Sequence, residues 1–217
     1  QKIKRKPLQH THRHHHIKSF DLQSNGDAIN ARLSLFYNDD VELSIAKIDK
    51  SMNTFYRNGH NDEIIFIQSG SGKFYSNFGK LDLIKGDYII IPRGVIWKME
   101  ADEKMNQFII ETNGQVETPV NYRNSHGQLL EHSPYSERDI QTPKLDKLIN
   151  EGPCTIKTKL NGGYQNYEYV HHPLDIVGWD GCYYPWIFNI NDFMPITGKI
   201  HQPPPVHQTF QSKGFVI

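Results

Sequence analysis

The chain of 217 residues has few cysteines and no long hydrophobic run. Two cysteines, Cys154 and Cys182, are too few for a disulfide framework, so we expect a reducing, cytoplasmic setting. The longest uninterrupted apolar runs, 64–67 and 88–91, are far shorter than the ~20 residues that span a bilayer. The first residues are basic and polar with no apolar segment behind them, which argues against a secretion signal.

The chain also lacks an excess of charge of either sign. Lys+Arg and Asp+Glu both number 24, so a nucleic-acid partner has no overall electrostatic support. Hydrophobic residues make up 37% and aromatic residues 12%, which excludes a disordered chain. The composition therefore indicates a soluble globular protein with one large domain or two modest ones.

Residues 1–30 form a basic, histidine-rich segment. It carries five of the twelve histidines, which are His10, His12, His14, His15 and His16. The alternation in this tract favours a surface strand, while adventitious metal affinity and an appended purification tag are the alternatives.

Residues 31–118 have the pattern of an all-β domain. Short runs rich in Ile, Phe and Tyr alternate with turn signals such as Ser69-Gly70-Ser71-Gly72 and Lys85-Gly86-Asp87. No helical periodicity lies between them, so a sandwich or barrel is predicted. The predicted strands are 32–37, 41–48, 63–68, 72–78, 88–91 and 105–111.

The pattern changes after residue 118. Residues 119–152 are polar and predict a linker with one or two short helices, one of them over 144–149. Strand signals resume in 153–217, with runs at 155–160 and 164–170 around the hairpin signal Asn161-Gly162-Gly163. Pro203-Pro204-Pro205 predicts a stiff loop. The last three residues are apolar and look like half a strand, so we expect the chain to stop within a second domain.

Two blocks of the β-region resemble the paired motifs of the cupin superfamily. The first runs from Tyr56 through Glu63 to Gly70, and the second runs from Gly86 through Pro92-Arg93-Gly94 to Trp97. The glycines and proline match the motif spacing throughout. This resemblance implies a jelly-roll barrel.

The metal-ligand positions of these motifs do not match. Tyr56, Asn58 and Trp97 stand where cupins have histidines, and only Glu63 is retained. One carboxylate is well short of the three protein ligands of a catalytic metal site, so the barrel is predicted to be metal-free. His60 lies two residues past a ligand position and is expected in a turn.

Five longer phrases resemble the homogentisate 1,2-dioxygenase family. They are FYRNGHNDEIIFI (55–67), GDYIIIPRG (86–94), YRNSHGQLLEHSPYSERD (122–139), HPLDIVGWDGCYYP (172–185) and IHQPPPVHQTF (200–210). The resemblance implies a bicupin, in which a degenerate first barrel precedes a second barrel that holds a non-heme Fe(II). It also implies ring cleavage of homogentisate with O2 to maleylacetoacetate, in tyrosine and phenylalanine breakdown, by a homohexamer.

The same resemblance assigns 153–217 to the start of the catalytic cupin. It places the iron ligands, two histidines and a carboxylate, beyond Ile217, so no metal ligand is predicted within this chain. His201 is the best match to a family histidine that handles the phenolic proton of the substrate, a task suited to neutral imidazole. His207 is the weaker candidate for that role.

Other candidates have simpler explanations. Tyr183, Tyr184 and Trp186 could line an aromatic pocket, although core packing is the commoner role for such residues. His171 and His172 are adjacent and cannot face one ion from a regular strand. The remaining pair, His126 and His132, stays unassigned.

Two other functions remain open. The first is a metal-free, non-enzymatic cupin module for binding or assembly, which the missing histidines favour. The second is metal buffering by the histidine-rich segment 1–30. Titration of the isolated chain with Fe(II) and homogentisate separates the first function from ring cleavage. Removal of residues 1–16 tests the second, since folding should stay intact if that tract is an appendage.

Overall fold

The computed structural model describes residues 2–3, 14–147, 151–196 and 207–217. These ranges contain sixteen β-strands and four 3-10 helices of three residues each. The helices are Ser19–Asp21, Val120–Tyr122, Glu137–Asp139 and Ile190–Asp192. The strands are β1 Asn25–Gly26, β2 Leu33–Tyr37, β3 Val41–Ile48, β4 Phe55–Asn58, β5 Asp62–Ser69, β6 Gly72–Ser76, β7 Gly79–Leu83, β8 Asp87–Ile91, β9 Trp97–Ala101, β10 Met105–Thr112, β11 Ile140–Gln141, β12 Cys154–Leu160, β13 Gly163–Tyr169, β14 Trp186–Asn189, β15 Gln211–Ser212 and β16 Phe215–Val216.

Most of the strands belong to two sheets that enclose one core. The larger sheet has the order β1-β3-β10-β5-β8-β14-β11, with β2 also paired to β3, and the other has the order β13-β12-β4-β9-β6-β7. Tyr56 and Phe74 of the second sheet pack with Ile65, Ile67 and Ile109 of the first in a single cluster. The predicted all-β cupin jelly-roll fold is confirmed.

The larger sheet is buried on both faces, which explains the continuous apolar runs in its strands. In β5, Ile65 belongs to the interior cluster, while its neighbour Ile64 belongs to a second, outer cluster. Phe188 and Phe210 complete this outer layer, and both are fully buried. A strand that is covered on both sides needs apolar residues at every position rather than at alternate ones.

The predicted runs match β3 to the residue and match β2, β5, β8, β10, β12 and β13 to within one residue at each end, whereas β4, β7, β9 and β14 were not predicted. β4, β7, β9 and β14 carry no strong apolar alternation, because each is short and contains polar or charged positions. The predicted run 72–78 ends at Ser76, where the chain reverses into β7. Burial of these short strands comes from the sheet that they join rather than from their own pattern.

The predicted turn signal at residues 69–72 lies between β5 and β6, but the two strands it joins are not partners. β5 pairs with β8 and β10, whereas β6 pairs with β7 and β9. The turn therefore carries the chain from one sheet to the other. A Cβ on Gly70 would lie 2.3 Å from the carbonyl oxygen of Lys104, so no other residue fits there without a shift.

The segment 119–152 contains two of the 3-10 helices, Val120–Tyr122 and Glu137–Asp139. The helix predicted over 144–149 is absent from 144–147, since Lys144 forms a β-bridge with Lys80 instead; residues 148 and 149 lie outside the described residues. Across the described ranges, no helix combines the length and apolarity that crossing a membrane requires.

Three strands between residues 153 and 217, β12, β13 and β14, extend the two sheets of the barrel, whereas β15 and β16 pair only with each other. β12 lies parallel to β4, and β14 lies antiparallel to β8. β12 and β13 form the predicted hairpin at Asn161-Gly162-Gly163, with a positive φ of 83° at Gly162. By pairing with β4, β12 covers an edge that would otherwise expose unpaired backbone groups. That a second barrel begins at residue 153 stays a prediction.

Only part of the basic segment 1–30 is described. Residues 14–18 have no regular secondary structure, and His14, His15 and His16 are exposed, so the predicted surface strand is not found there. His10 and His12 lie outside the described residues.

Candidate functional site

The four cupin ligand positions come together inside the barrel. β4 contributes Tyr56 and Asn58, β5 contributes Glu63, and β9 contributes Trp97, and all four are buried. Tyr56 pairs directly with Trp97 across the two strands, and their rings meet edge to face at 5.2 Å. The motif spacing therefore identified the right place, although three of the four side chains cannot act as the expected ligands.

The guanidinium group of Arg32 lies among these four ligand positions. The Nη1 atom of Arg32 lies 2.6 Å from Oε1 of Glu63 and 3.2 Å from Oε1 of Glu111. The Tyr56 hydroxyl and the Asn58 amide donate to the same Glu63 oxygen, each at 3.2 Å. One carboxylate oxygen thus accepts from three side chains, and the retained cupin carboxylate is paired with an organic cation.

The network continues from Glu111 to the open end of the barrel. Nζ of Lys159 on β12 lies 2.6 Å from Oε2 of Glu111 and 3.4 Å from Oε2 of Glu42. Asn58 also donates to Oε2 of Glu111 at 2.8 Å. Three carboxylates therefore share two cations, and the Asn58 amide donates to two of them, Glu63 and Glu111. We call these residues the barrel network: Arg32, Glu42, Tyr56, Asn58, Glu63, Glu111 and Lys159.

The charges of the network fix the protonation of its donors. Burial alone would lower the pKa of Arg32, but Glu63, with smaller contributions from Tyr56 and Glu111, raises it well above its usual value. Burial likewise opposes the charge on Lys159, while Glu111 and Glu42 raise its pKa. Burial and the nearby Glu63 raise the pKa of Tyr56. Near neutrality these groups are therefore hydrogen-bond donors and cannot serve as general bases.

A single turn before β2 delivers Arg32 to the interior. Asp27 accepts hydrogen bonds from the backbone of Ile29 and Asn30, so it caps that turn as an N-terminal Asp does in a helix. Ala28 is buried in the barrel core, and its carbonyl accepts from Nε of Arg32 at 3.0 Å. The guanidinium carbon lies 5.4 Å from the ring centre of Tyr56 and 5.9 Å from that of Trp97, distances that suit cation–π attraction.

These residues do not fit a ferrous ion. Non-heme iron centres use two histidines and one carboxylate, whereas the barrel network contains no imidazole. Its central carboxylate oxygen is already saturated by Arg32, Tyr56 and Asn58. Among the described residues, no group of three or more His, Cys, Asp and Glu is arranged to hold a metal.

A polar cleft of about 450 Å³ opens over the outer end of the network. We call it the mouth cleft. Glu42, Glu111 and Lys159 lie at its base, and His60 lies on its rim, on the turn where the sequence placed it. The other side chains of its wall are mainly acidic or amide groups: Asn38, Asp39, Asp40, Asn58, Asn61, Asn113 and Asn161. The cleft connects the network with solvent.

The predicted catalytic histidine cannot be placed. His201 lies outside the described residues, so its role stays a prediction. His207 is exposed at the start of the last described segment.

The aromatic residues proposed for a pocket do not form one. Trp186 packs on Phe210 in the outer cluster, and Tyr184 contacts Trp179 at 4.7 Å between ring centres. Tyr183 is about half exposed and donates to the carbonyl oxygen of Arg93. Packing and a surface hydrogen bond therefore account for all three.

The remaining histidines show no shared site. His126 and His132 are exposed. His172 packs its ring edge on Phe55, and its Nδ1 accepts from the backbone of Leu174. Burial lowers the pKa of His172, so the neutral form prevails near neutrality. These contacts are structural.

Sequence reasoning missed four residues of the barrel network: Arg32, Glu42, Glu111 and Lys159. The one local signal is in β10, where the carboxylate of Glu111 directly follows the apolar run Phe108, Ile109 and Ile110. A carboxylate in such a strand needs a buried partner. Nothing local identifies Arg32 as that partner, because 79 positions separate the two residues.

Comparisons with known proteins agree with the sequence motifs. The model of the homogentisate 1,2-dioxygenase N-terminal family matches residues 6–190. A protein of Saccharolobus solfataricus, which carries the name of a dioxygenase without a stated substrate, is 39% identical over 207 residues, or 95% of this chain and 54% of its own length. Homogentisate 1,2-dioxygenase of Sinorhizobium medicae is 26% identical over 69% of this chain and 33% of its own length.

The solved structures share only part of the chain. A cupin-2 domain protein from Shewanella frigidimarina is 21% identical and covers 37% of this chain and 78% of its own, with a TM-score of 0.34. The salicylate 1,2-dioxygenase of Pseudoaminobacter salicylatoxidans is 18% identical over 38% of this chain and 24% of its own, with a TM-score of 0.35. This chain spans about half the length of the Saccharolobus solfataricus protein and about a third of the length of the Sinorhizobium medicae enzyme.

Proposed function

Because this chain belongs to the homogentisate 1,2-dioxygenase family and matches its N-terminal part, we propose that it works within a non-heme Fe(II) dioxygenase that opens the ring of homogentisate with O2. The product would be maleylacetoacetate, and the protein would act in the cytoplasm in the breakdown of tyrosine and phenylalanine. Support for a dioxygenase comes from the family and from the named dioxygenase relatives. The choice of homogentisate as the substrate is proposed from the name of the family and of its Sinorhizobium medicae relative.

The barrel network is the observation that supports placing ring cleavage outside this barrel. The cupin ligand positions are occupied by Tyr56, Asn58 and Trp97, and the remaining carboxylate is paired with Arg32. We therefore assign ring cleavage to a part of the longer protein outside this barrel, where the Fe(II), bound by its own ligands, would activate O2. Under this proposal the barrel network holds the fold and takes no part in the reaction.

The test compares two forms of the protein. The 217-residue chain and the longer protein from the same gene are loaded anaerobically with Fe(II) and then mixed with homogentisate and O2. We expect homogentisate-dependent O2 uptake and stoichiometric iron only in the longer protein. Turnover by the 217-residue chain would contradict the assignment, and a longer protein that binds iron but prefers another phenol would overturn the substrate.

A second candidate is a metal-free assembly module. The barrel network favours this over the binding of a small molecule, because Arg32 and its partners fill the interior where a ligand would lie. Under this candidate the isolated chain forms defined oligomers, as the hexamers expected for the longer protein require. Sedimentation of the isolated chain distinguishes the candidates, since a monomer at all concentrations would leave no assembly role to this part.

A further inference from the structure

The interior carboxylates already hold a cation, and that cation is a side chain of the chain itself. We propose that Arg32 is the resident cation of a carboxylate site inside the barrel. We further propose that a neutral residue at position 32 turns this site into one for a hard divalent cation such as Mn²⁺. The proposal concerns this barrel only and does not depend on the substrate of the longer protein.

Strand pairing creates the demand for a cation. Glu63 on β5 and Glu111 on β10 are register partners on adjacent antiparallel strands. Like charges directly opposite each other in a sheet repel, and these two side chains are at most 2% exposed, so water screens them little. A cation between the two carboxylates removes that repulsion. Nη1 of Arg32 contacts both of them, at 2.6 and 3.2 Å.

The guanidinium does not use every donor atom of the site. Oε2 of Glu63 is fully buried and has no hydrogen-bond partner among the described residues, and the same holds for Nη2 of Arg32. A buried carboxylate oxygen without a partner is costly. The site therefore keeps coordination capacity that a compact ion could use better than a planar guanidinium does.

The donor atoms select the class of ion. They are the carboxylate oxygens of Glu63 and Glu111 and the hydroxyl of Tyr56, with no imidazole and no thiolate in the network. Oxygen donors suit Mg²⁺, Ca²⁺ and Mn²⁺, and ions of the Mg²⁺ type commonly bind through one or two carboxylates plus water. The mouth cleft reaches Glu111 and Asn58, which gives an ion a route to the site.

The charge of the network favours the exchange. In the native chain, Glu42, Glu63 and Glu111 face Arg32 and Lys159, which leaves one negative charge in excess. A divalent ion in place of Arg32 would balance the three carboxylates together with Lys159. A neutral side chain at position 32 without an ion would leave two uncompensated charges in the interior, which is strongly unfavourable.

The experiment measures Mn²⁺ binding to the 217-residue chain by the loss of the free-ion electron paramagnetic resonance signal. The variant is Arg32→Met, which keeps the side-chain length and removes the charge. The matched control is Arg57→Met, because Arg57 donates to Tyr169 and Thr158 and, within the described part of the chain, to no carboxylate. A third protein, Arg32→Met/Glu63→Gln, removes one proposed ligand. Thermal unfolding is recorded for each protein with and without Mn²⁺ and with a chelator.

We expect one Mn²⁺ per chain in Arg32→Met, together with a rise in its unfolding temperature on adding Mn²⁺. The native chain and Arg57→Met should bind none, and a chelator should not change their unfolding temperatures. The added Glu63→Gln change should weaken Mn²⁺ binding by at least about 10-fold, the lower range for altered metal surroundings. Unchanged binding in that double variant would show that the ion binds elsewhere and would overturn the proposal.

Two further outcomes would also overturn it. One is a folded Arg32→Met that binds no more Mn²⁺ than the native chain does. The other is an Arg32→Met that stays unfolded at every Mn²⁺ concentration, since an ion that replaces the guanidinium should restore the fold. An Arg32→Met that folds only with Mn²⁺ would support the proposal as strongly as direct binding, because binding to the native state alone shifts the folding equilibrium.

Discussion

Single residues in the interior of this barrel control its stability, because the interior contains buried charges. Glu63 is fully buried, and its Oε1 atom accepts from Arg32, Tyr56 and Asn58. A charge at such a position is stable only because it is paired, and the loss of its partner costs more than the pair itself contributes. The stability of the barrel should therefore respond to small chemical changes here.

Glu63→Gln should lower the free energy of unfolding by about 3 kcal/mol, at the low end for a broken buried pair because Arg32 keeps Glu111. The shape of the side chain is conserved, so the change reports on charge. Urea unfolding of the 217-residue chain measures it. The control is Glu131→Gln at an exposed position, which should change stability by less than about 0.5 kcal/mol. Equal effects at the two positions would contradict a buried ion pair at Glu63.

The proposed function makes its most specific prediction for His201. In the longer protein, His201→Ala should lower homogentisate turnover by roughly 10²- to 10⁴-fold, as expected when a general acid–base group is lost. The iron content should stay near that of the unaltered protein. His207→Ala serves as the control and should have the smaller effect. Loss of iron together with activity would make His201 a metal ligand rather than a proton carrier.

At the scale of elements, turns place the two sheets and glycines permit the turns. Gly70 joins β5 of one sheet to β6 of the other, and Gly162 closes the hairpin of β12 and β13. Both have positive φ, at 88° and 83°. Their surroundings differ, because a Cβ at position 70 would clash with the Lys104 carbonyl, whereas nothing lies within 4 Å of a Cβ at position 162.

Alanine at these two positions should separate backbone strain from steric clash. Gly162→Ala should cost about 1–2 kcal/mol, the usual penalty for an L-residue in the left-handed region. Gly70→Ala adds overpacking to the same strain, so it should cost about 2–5 kcal/mol. Urea unfolding of the two variants beside the native chain provides the comparison. A Gly162→Ala variant that is the less stable of the two would refute the packing described for Gly70.

At the scale of the whole molecule, the larger sheet is covered on both faces, and tyrosines lie in both layers. Burial raises the pKa of Tyr88, Tyr122 and Tyr135 in the outer layer, and it also raises the pKa of Tyr56 and Tyr164 in or beside the interior. The folded chain thus keeps these phenols protonated at pH values where the unfolded chain loses their protons. The stability that they contribute is complete below their unfolded pKa of about 10.

The free energy of unfolding should therefore be insensitive to tyrosine below about pH 9 and should fall as the pH rises above about 10. Urea unfolding at several alkaline pH values measures this, with tyrosinate absorbance reporting on ionisation. Tyr135→Phe should make the fall less steep, although it loses the hydrogen bond from the Tyr135 hydroxyl to the carbonyl oxygen of Thr209. A tyrosinate absorbance of the folded chain at pH 10 that Tyr135→Phe lowers would contradict this prediction.

The sequence alone determined the features that depend on near neighbours. Alternation and turn residues predicted the all-β class and β3, and Asn161-Gly162-Gly163 predicted a hairpin, because strand faces and tight turns are set within a few residues. Motif spacing also identified where a cupin metal would lie and which ligands are missing. The family followed from long phrases, and with it came the expectation of an iron dioxygenase.

The tertiary structure decided which residues meet inside the barrel. Arg32 lies 31 positions from Glu63, and Lys159 lies 48 positions from Glu111, and no local pattern joins either pair. The pairing of β12 with β4 is equally non-local, as is the crossing between sheets at Gly70. The physical reason is that a residue pattern states how polar each face of a strand is, whereas the choice of the facing strand depends on the packing of the whole chain.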